Sequence, residues 1–283
     1  MPGKFKKIAE AALRERRTLL MGIVNATPDS FSDGGEFLNP RAAARHACEL
    51  VEQGADLIDL GAESTRPGSR PVDETEELSR LLPALRAIRE VLPDVPVSID
   101  TYRPNVARAA IAEGASLIND VCAIGAADLS RERDYPMARV VAEAGATLIA
   151  MHNRFGNADY GNEFMGELCR DLLAGTERIL AAGVPAESLW LDPGFGFGKS
   201  VEQNLQMVAQ MNKITALGFP VLLGTSRKSA LGAILGKVPK ERGGGDAACA
   251  AVGIAGGVAM LRLHDVVAVR DLVIVADALR RTA

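Results

Sequence analysis

The sequence predicts an α/β protein that folds as a single (β/α)8 TIM barrel. Short apolar runs alternate with longer helical runs along its 283 residues, which is typical of successive βα units. The apolar runs also lack polar–apolar alternation, as expected for parallel strands that are covered on both faces. A doubly wound open sheet has the same periodicity, so the sequence leaves this alternative open.

Eight strands and the helices between them can be bounded from the sequence. The strands are predicted at residues 19–25, 56–61, 96–100, 116–120, 147–151, 189–193, 220–225 and 259–264. Among the helical stretches, residues 41–54 end in a glycine suited to a C-cap, and residues 73–92 begin with acidic side chains and contain Pro83. Residues 1–18 are predicted to form an N-terminal extension with a short amphipathic helix, and residues 19–283 the barrel domain.

The bulk composition argues against several classes of protein. The formal net charge of −4 gives no reason to expect nucleic acid or an acidic membrane as a partner. No apolar run is long enough to span a bilayer. The four cysteines form no CxxC pair and have apolar neighbours, which predicts buried free thiols and a reducing, cytoplasmic location.

Polar residues stand where nearly every predicted strand ends. They are Asn25, Asp59, Asp100, Asn119, Asp120, His152, Asp192, Ser226, Arg262 and His264. In a βα barrel the C-terminal ends of all strands meet at one mouth, so these side chains would face one pocket. Loops begin at the same places, and one or two polar ends need no function. Eight strands that end in this way indicate a functional mouth.

Three features at these strand ends suggest what the mouth could bind, and each also has a purely structural interpretation. Asp100, Asn119 and Asp192 suit the edge of a heterocycle that presents N–H donors, although helix N-caps explain them equally well. The basic segments 226–229 and 262–264 follow strands seven and eight, where many barrels bind phosphate, and salt bridges at the rim are the alternative. Residues 194–200 (GFGFGKS) match neither a Walker A motif nor a dinucleotide fingerprint. They form either a loop that approaches a ligand or a simple turn into a helix.

Seven segments of the chain resemble, in order, the signature segments of dihydropteroate synthases. They are residues 21–35 (MGIVNATPDSFSDGG), 58–69 (IDLGAESTRPGS), 98–101 (SIDT), 118–120 (IND), 191–200 (LDPGFGFGKS), 224–229 (GTSRKS) and 262–265 (RLHD). The resemblance extends from about residue 19 to the C-terminus. It implies a TIM barrel that binds a pterin.

The resemblance also implies a role for particular residues. The pterin would be bound by Asp100, Asn119, Asp192, Lys228 and Arg262. The diphosphate would be bound by Asn25, Arg262 and His264, with Mg2+ at Asn25. The p-aminobenzoate would be bound by Phe31, Thr65, Arg66, Pro67, Phe197, Lys228 and Ser229. The residues implied for catalysis are Asp100, Lys228 and Arg262.

The implied reaction joins 6-hydroxymethyl-7,8-dihydropterin diphosphate to p-aminobenzoate in folate biosynthesis, by an SN1-like displacement of diphosphate. The carboxylates of Asp100 and Asp192 would stabilise positive charge on the pterin, while Arg262, His264 and Mg2+ would stabilise the departing diphosphate. An aromatic amine is neutral at pH 7, which accounts for the lack of an obvious base–nucleophile pair. The resemblance further implies a homodimer that is a sulfonamide target.

The chain departs from the family pattern in a few places. Residues 151–161 (MHNRFGNADYG) lack the usual MHM-x-G-x-P pattern, and residues 119–130, Tyr102 and Ala62 are also unusual. None of these departures removes a residue assigned above to the pterin or the diphosphate. The sequence leaves two other functions open. One is a corrinoid-linked pterin-binding methyltransferase, which needs no diphosphate site, and the other is a non-catalytic pterin-binding paralogue.

Overall fold

The computed structural model describes residues 2–26, 39–63, 72–125, 135–154, 159–161 and 163–282. Within these ranges eight parallel strands form one sheet. They are β1 (Leu19–Asn25), β2 (Leu57–Gly61), β3 (Val97–Asp100), β4 (Leu117–Ile124), β5 (Thr147–His152), β6 (Leu189–Asp192), β7 (Leu222–Leu223) and β8 (Met260–Leu263). Each lies within the region predicted for it or differs from it by a few residues at the ends.

The strands close into a barrel. Their order around the sheet is β6-β5-β4-β3-β2-β1-β8-β7. A parallel bridge between Leu191 and Val221 joins the two end strands, and the Leu191 N–H donates to the Pro220 carbonyl at 2.9 Å. The prediction of a TIM barrel is therefore confirmed, and the open doubly wound sheet is excluded.

Helices follow every strand and cover the outside of the barrel, and one further helix precedes the first strand. They are α1 (Pro2–Arg14), α2 (Pro40–Glu52), α3 (Glu74–Val91), α4 (Pro104–Ala112), α5 (Pro136–Ala144), α6 (Phe164–Ala181), α7 (Val201–Ala209), α8 (Met211–Thr215), α9 (Ser229–Leu235), α10 (Gly243–Ala255) and α11 (Val267–Thr282). Short 3-10 turns occur at Ala186–Ser188 and Pro239–Glu241. No helix in the described part of the chain is long and apolar enough to cross a membrane.

Local sequence signals set where several helices begin. The Asn39 side chain accepts from the Arg41 N–H before α2, and Asp73 accepts from the Glu76 N–H before α3. Ser200 forms a capping box with Gln203 at the start of α7. The GFGFGKS segment therefore leads into a capped helix, which is compatible with both of its interpretations.

Helix α1 packs against the N-terminal end of the barrel. Its residues Phe5, Ala9 and Ala12 are buried, and the Phe5 ring lies 5.7 Å from that of Trp190. They join an apolar cluster of inward-facing strand residues, which includes Met21, Leu57, Leu117, Ile149, Trp190, Leu222 and Met260. Burying a side chain as large as Phe5 stabilises a fold by about 1.5–3 kcal/mol. Because this cluster fills the N-terminal half of the barrel, a ligand has access from the opposite mouth.

The prediction made for the cysteines is confirmed only in part. All four are free thiols, as predicted. Only Cys249 is buried, whereas Cys48, Cys122 and Cys169 are partly exposed, so the expectation of burial is wrong for these three. Apolar neighbours along the chain did not predict burial because successive residues of a helix or strand point to different faces.

Candidate functional site

Strand alternation and register bring the predicted site residues to the barrel interior. Alternate residues of a strand point to the same face, and the inward series begins in the apolar cluster. On four of the eight strands, the inward residue two positions after the cluster is polar: Asp59, Asn119, Asp192 and Arg262. Strand register places Asn25 and Asp100 on the same inward face, because paired residues of neighbouring strands point to the same side of the sheet. Gly61 pairs with both of them, and Asp100 also pairs with Asn119.

Gly61 separates two of these residues. A Cβ atom added to Gly61 would lie 3.4 Å from Cβ of Asp100 and 3.8 Å from Oδ1 of Asn25. The absence of a side chain at this inward position leaves room in the mouth between a carboxylate and an amide.

Arg262 is the centre of the polar layer. Its Nε donates to Oδ2 of Asp59 at 2.6 Å, and its Nη2 donates to Oδ2 of Asp100 at 2.8 Å. The Asn119 amide also donates to Oδ2 of Asp59, at 3.3 Å. Asp59 appeared in the sequence as a polar strand end but received no role there. Its inward position, two residues after Leu57, is the signal that could have assigned it to the site.

Three acceptor atoms in this layer have no partner among the described residues. They are Oδ1 of Asp59, Oδ1 of Asp100 and Oδ1 of Asn119. An unpartnered buried polar atom costs about 1–3 kcal/mol. A ligand that presents N–H groups along one edge would satisfy such acceptors, so the layer is suited to a polar heterocycle.

Burial and charge control the protonation of these groups. Burial raises the pKa of Asp100, and the nearby guanidinium of Arg262 opposes this rise. Burial also raises the pKa of Asp192, and the hydrogen bond from the Gly194 N–H opposes it. Burial lowers the pKa of Arg262, but the nearby carboxylates of Asp59 and Asp100 raise it by more. The guanidinium therefore stays charged.

The turn after β6 and the turn after β7 meet at the mouth. Oδ1 of Asp192 accepts from the Gly194 N–H at 2.7 Å, which places Asp192 in a turn, not in a helix cap. The Lys228 ammonium lies 4.0 Å from the centre of the Phe197 ring, a cation–π contact. Ser229, the first residue of α9, is exposed beside Lys228.

Arg242 holds the turn that carries Lys228. Arg227 has a left-handed φ of 60° in this turn. The Arg242 Nη1 donates to the Arg227 carbonyl at 2.8 Å and to the Lys228 carbonyl at 3.0 Å. The sequence did not single out Arg242, because its contact with the mouth spans fifteen residues and an intervening helix.

His264 lies beside the same turn. Its backbone N–H donates to Oγ of Ser226 at 3.2 Å, and its Nδ1 lies 3.2 Å from the same oxygen. Strands β7 and β8 therefore bring the two basic segments together, as the sequence predicted.

Two polar strand ends do not reach the mouth. His152 points outward and contacts Asp171 of α6, and Asp120 accepts from the Tyr135 hydroxyl and the Cys122 N–H. The expectation that all the polar ends face one pocket is wrong for these two, because alternation turns them to the helical side of the sheet. The helix-cap alternative is also excluded for Asp100, Asn119 and Asp192, since the helices that follow them begin after Arg103, Tyr135 and Ser200.

The described residues provide no ready-made metal cage. They contain no group of three or more His, Cys, Asp or Glu side chains arranged to hold an ion. Phe31, Thr65, Arg66 and Pro67, which the sequence assigned to p-aminobenzoate, lie outside the described residues.

Fold and site define a barrel whose mouth brings carboxylate and amide oxygens together with the basic groups that end β7 and β8. Residues 21–264 match the sequence model of the pterin binding enzyme family, described as "Pterin binding enzyme". The chain belongs to this family.

Several similar proteins are dihydropteroate synthases. A dihydropteroate synthase from Clostridium beijerinckii is 45% identical over 251 residues, covering 88% of this chain and 90% of that protein. The structure of the Clostridium difficile dihydropteroate synthase, determined in the presence of pteroic acid, is 43% identical with a TM-score of 0.86, covering 93% of this chain and 97% of that one. The Xanthomonas albilineans dihydropteroate synthase with 4-aminobenzoic acid is 39% identical with a TM-score of 0.85, covering 94% of each chain. Within the pterin-binding enzymes, the branch to which these similarities point is the dihydropteroate synthases.

Proposed function

We propose that the chain is a dihydropteroate synthase, a transferase that condenses 6-hydroxymethyl-7,8-dihydropterin diphosphate with p-aminobenzoate to give 7,8-dihydropteroate and diphosphate. The observation that carries the proposal is the group of unpartnered acceptors on Asp59, Asp100 and Asn119, two of which belong to carboxyl groups bonded to Arg262. A pterin ring presents N–H donors along one edge, and its diphosphate substituent needs cationic partners. The dihydropteroate synthases that are similar to this chain over most of its length support the same activity.

In this proposal the pterin lies deep in the mouth. Asp100, Asn119 and Asp192 accept from its N–H groups, and a hydrogen-bonded carboxylate also favours a ring that gains positive charge. Arg262 lies over the ring while it holds Asp59 and Asp100 in place, and Lys228 reaches the ring's polar edge. These roles follow the resemblance, and the inward positions of Asp100, Asn119, Asp192 and Arg262 support four of them.

The diphosphate would lie at the basic side of the mouth. Arg262 uses Nε and Nη2 for carboxylates, which leaves Nη1 to a phosphate oxygen. His264 supplies a further donor. Mg2+ is commonly held by one or two carboxylates, with water and substrate phosphates completing its shell. In this proposal the amide oxygen of Asn25 takes the place of a carboxylate. When bound, Mg2+ would neutralise charge on the departing diphosphate.

The reaction in this proposal is SN1-like. The bond between the exocyclic CH2 and the diphosphate oxygen breaks first, and diphosphate leaves with the electron pair. The remaining cation is delocalised into the pterin, where the carboxylates of Asp100 and Asp192 stabilise it. The amine nitrogen of p-aminobenzoate then forms the new C–N bond and loses a proton.

The p-aminobenzoate site in this proposal lies beside Phe197. The ring of Phe197, with Lys228 over it, offers an aromatic face and a cation for the carboxylate of the substrate. Ser229 stands next to Lys228 at the start of α9. The other proposed contacts are Phe31, Thr65, Arg66 and Pro67.

We further propose that the protein forms a homodimer in the cytoplasm. Helix α11 exposes Val267, Ile274, Val275 and Leu279, whose spacing puts them along one face of the helix. A second copy of the chain would cover this face. Sedimentation velocity checks this: Ile274→Asp should give a monomer, whereas the exposed Leu205→Asp on α7 serves as a control that leaves the dimer intact.

The experiment that tests the activity is diphosphate release from purified protein given the pterin diphosphate, p-aminobenzoate and Mg2+. We expect release that depends on p-aminobenzoate, with an equal amount of dihydropteroate formed. Absence of release with tight pterin binding would point to a non-catalytic paralogue. Preferential binding of methyl-tetrahydrofolate, indifferent to added diphosphate, would point to a methyltransferase.

A further inference from the structure

A second buried group of charged side chains lies behind the mouth, between β5, α6 and the turn after β6. It consists of His152, Arg154, Asp171 and Lys199, and we call it the Asp171 cluster. None of the four has a part in the proposed reaction. Their contacts nevertheless reach the turn that carries Asp192 and Phe197.

Asp171 orients His152. Oδ2 of Asp171 lies 2.9 Å from Nε2 of His152 and accepts from Nε of Arg154 at 2.7 Å. Arg154 in turn packs over the ring of Tyr160, with 4.3 Å between the guanidinium carbon and the ring centre. Because the carboxylate accepts at Nε2, the proton of the neutral imidazole lies there, and Nδ1 is left as an acceptor. Burial lowers the pKa of His152 to about 4, which keeps the ring neutral at pH 7.

Lys199 uses that acceptor and two more. Its Nζ lies 3.2 Å from Nδ1 of His152 and donates at 3.0 Å to the carbonyls of both Gly194 and Phe197. An ammonium group has three donors and no acceptor, so these three partners satisfy it completely. Two of the three belong to the turn after β6, and the third is anchored on strand β5.

The turn needs such an anchor. Gly194, Gly196 and Gly198 all have left-handed φ values, of 72°, 82° and 59°. Glycine reaches this region without steric cost, but it also loses more conformational entropy on ordering than any other residue. The turn also lies directly against the end of β5, because a Cβ atom at Gly194 would be 2.0 Å from the His152 carbonyl.

We propose that Lys199 is a positioning residue for the amine-binding side of the active site. Anchored through His152 on Asp171, it holds the Gly194–Phe197 turn so that the Phe197 ring lies where p-aminobenzoate binds. The role rests on the proposed function, since that function gives Phe197 its ligand. Lys199 itself touches no substrate in this scheme, and its effect should therefore appear in the KM for the amine and not in kcat.

The test compares Lys199→Met with Lys213→Met, the same exchange at an exposed lysine on α8. We expect Lys199→Met to raise the KM for p-aminobenzoate about tenfold, because the hydrogen bonds that anchor the turn are lost, while kcat changes little. Amide hydrogen exchange in the ligand-free protein should also become about tenfold faster across Gly194–Phe197. Lys213→Met should leave both quantities at the wild-type values.

Equal KM values and equal exchange rates in the two variants would overturn the proposal. A fall in kcat with an unchanged KM would also overturn it, since that would be a role in the chemistry. If Lys199→Met fails to fold, Lys199→Arg decides: it keeps a cation with several donors, and we expect an intermediate KM for the amine. The exchange measurement needs no substrate, so it tests the positioning role even if the wild-type protein releases no diphosphate.

Discussion

Arg262 and Asp100, 162 residues apart in the chain, are joined by a hydrogen bond of 2.8 Å at the centre of the barrel mouth. The same guanidinium also holds Asp59. Each carboxylate keeps one oxygen, Oδ1, without a partner among the described residues. The arrangement fixes two carboxyl groups in a buried site and still directs one oxygen of each toward a ligand.

Arg262→Lys tests whether the site needs the forked geometry of the guanidinium or only its positive charge. A lysine ammonium is a point charge and does not reproduce the fork that joins two carboxylates. We expect kcat/KM to fall on the order of 10²-fold, because charge-assisted hydrogen bonds are lost. The matched control is Arg86→Lys, in an exposed ion pair with Glu113, which should keep wild-type kinetics. Steady-state diphosphate release measures both, and equal values for the two variants would contradict the role of Arg262.

Asp192→Ala should abolish turnover while the protein stays folded. The variant loses both the carboxylate and the acceptor for the Gly194 N–H. Asp192→Asn keeps an oxygen for that N–H but removes the charge, so any activity it recovers reports on the turn alone. We expect a loss of kcat/KM of at least about 10²-fold for alanine, as is usual when a charged group that stabilises the transition state is removed. Normal kcat/KM in a folded Asp192→Ala protein would show that Asp192 is not a pterin anchor.

Sulfonamides should compete with p-aminobenzoate, which they mimic. The apparent KM for p-aminobenzoate should rise with drug concentration while kcat stays constant, because both molecules would occupy the pocket beside Phe197 and Lys228. Initial rates at several concentrations of amine and drug measure this. The pterin diphosphate at saturating concentration serves as the fixed substrate. A fall in kcat with an unchanged KM, or no inhibition at high drug concentration, would argue against that pocket.

Gly194→Ala should be severely destabilising. Its φ is 72°, and the new Cβ would lie 2.0 Å from the His152 carbonyl, a backbone atom that has little room to move. Gly145→Ala is the matched control, with a φ of 63° and no atom within 4 Å of its added Cβ. We expect about 1 kcal/mol for the control, from the left-handed backbone alone, and more than about 4 kcal/mol for Gly194→Ala. Urea unfolding measures both, and similar losses would show that the turn can shift away from β5.

Lys199 should leave a signature in the pH dependence of stability. Burial lowers its pKa from 10.5 to about 7, against the attraction of Asp192, while Arg154 and Lys228 add repulsion and Asp171 adds attraction. Between about pH 7 and 10.5 the unfolded chain therefore binds the proton that the folded protein has released. The contribution of Lys199 to the free energy of unfolding must then increase as pH rises through this range.

The comparison with Lys199→Met isolates this contribution. The free energy of unfolding of Lys199→Met, minus that of the wild-type protein, should decrease from pH 7 to pH 10, since only the wild type gains. Urea unfolding at four pH values gives the difference, and the other titrating groups largely cancel. A difference that stays constant over this range would mean that Lys199 keeps an ordinary pKa in the folded protein.

Much of the fold could be predicted from the sequence because it depends on local patterns. The strand at Leu19–Asn25 was bounded correctly, since a continuous apolar run ends there at a polar residue. The strand predicted at 220–225 was too long: only Leu222–Leu223 form ladder pairs with β8, and Val221 contributes the single bridge that closes the barrel. Strand length in this case depends on the partner strand and not on the residues themselves.

The site, too, was predictable from the sequence only in part. The sequence by itself determined which residues are polar at the strand ends, and the resemblance carried by those segments supplied the family. Only the tertiary structure decided that Asp59 faces Arg262, that His152 and Asp120 point away from the mouth, and that Lys199 joins β5 to the turn after β6. The physical reason is that a residue's direction depends on strand alternation and register, and that its partners lie tens to hundreds of residues away. Neither is fixed until the sheet has closed.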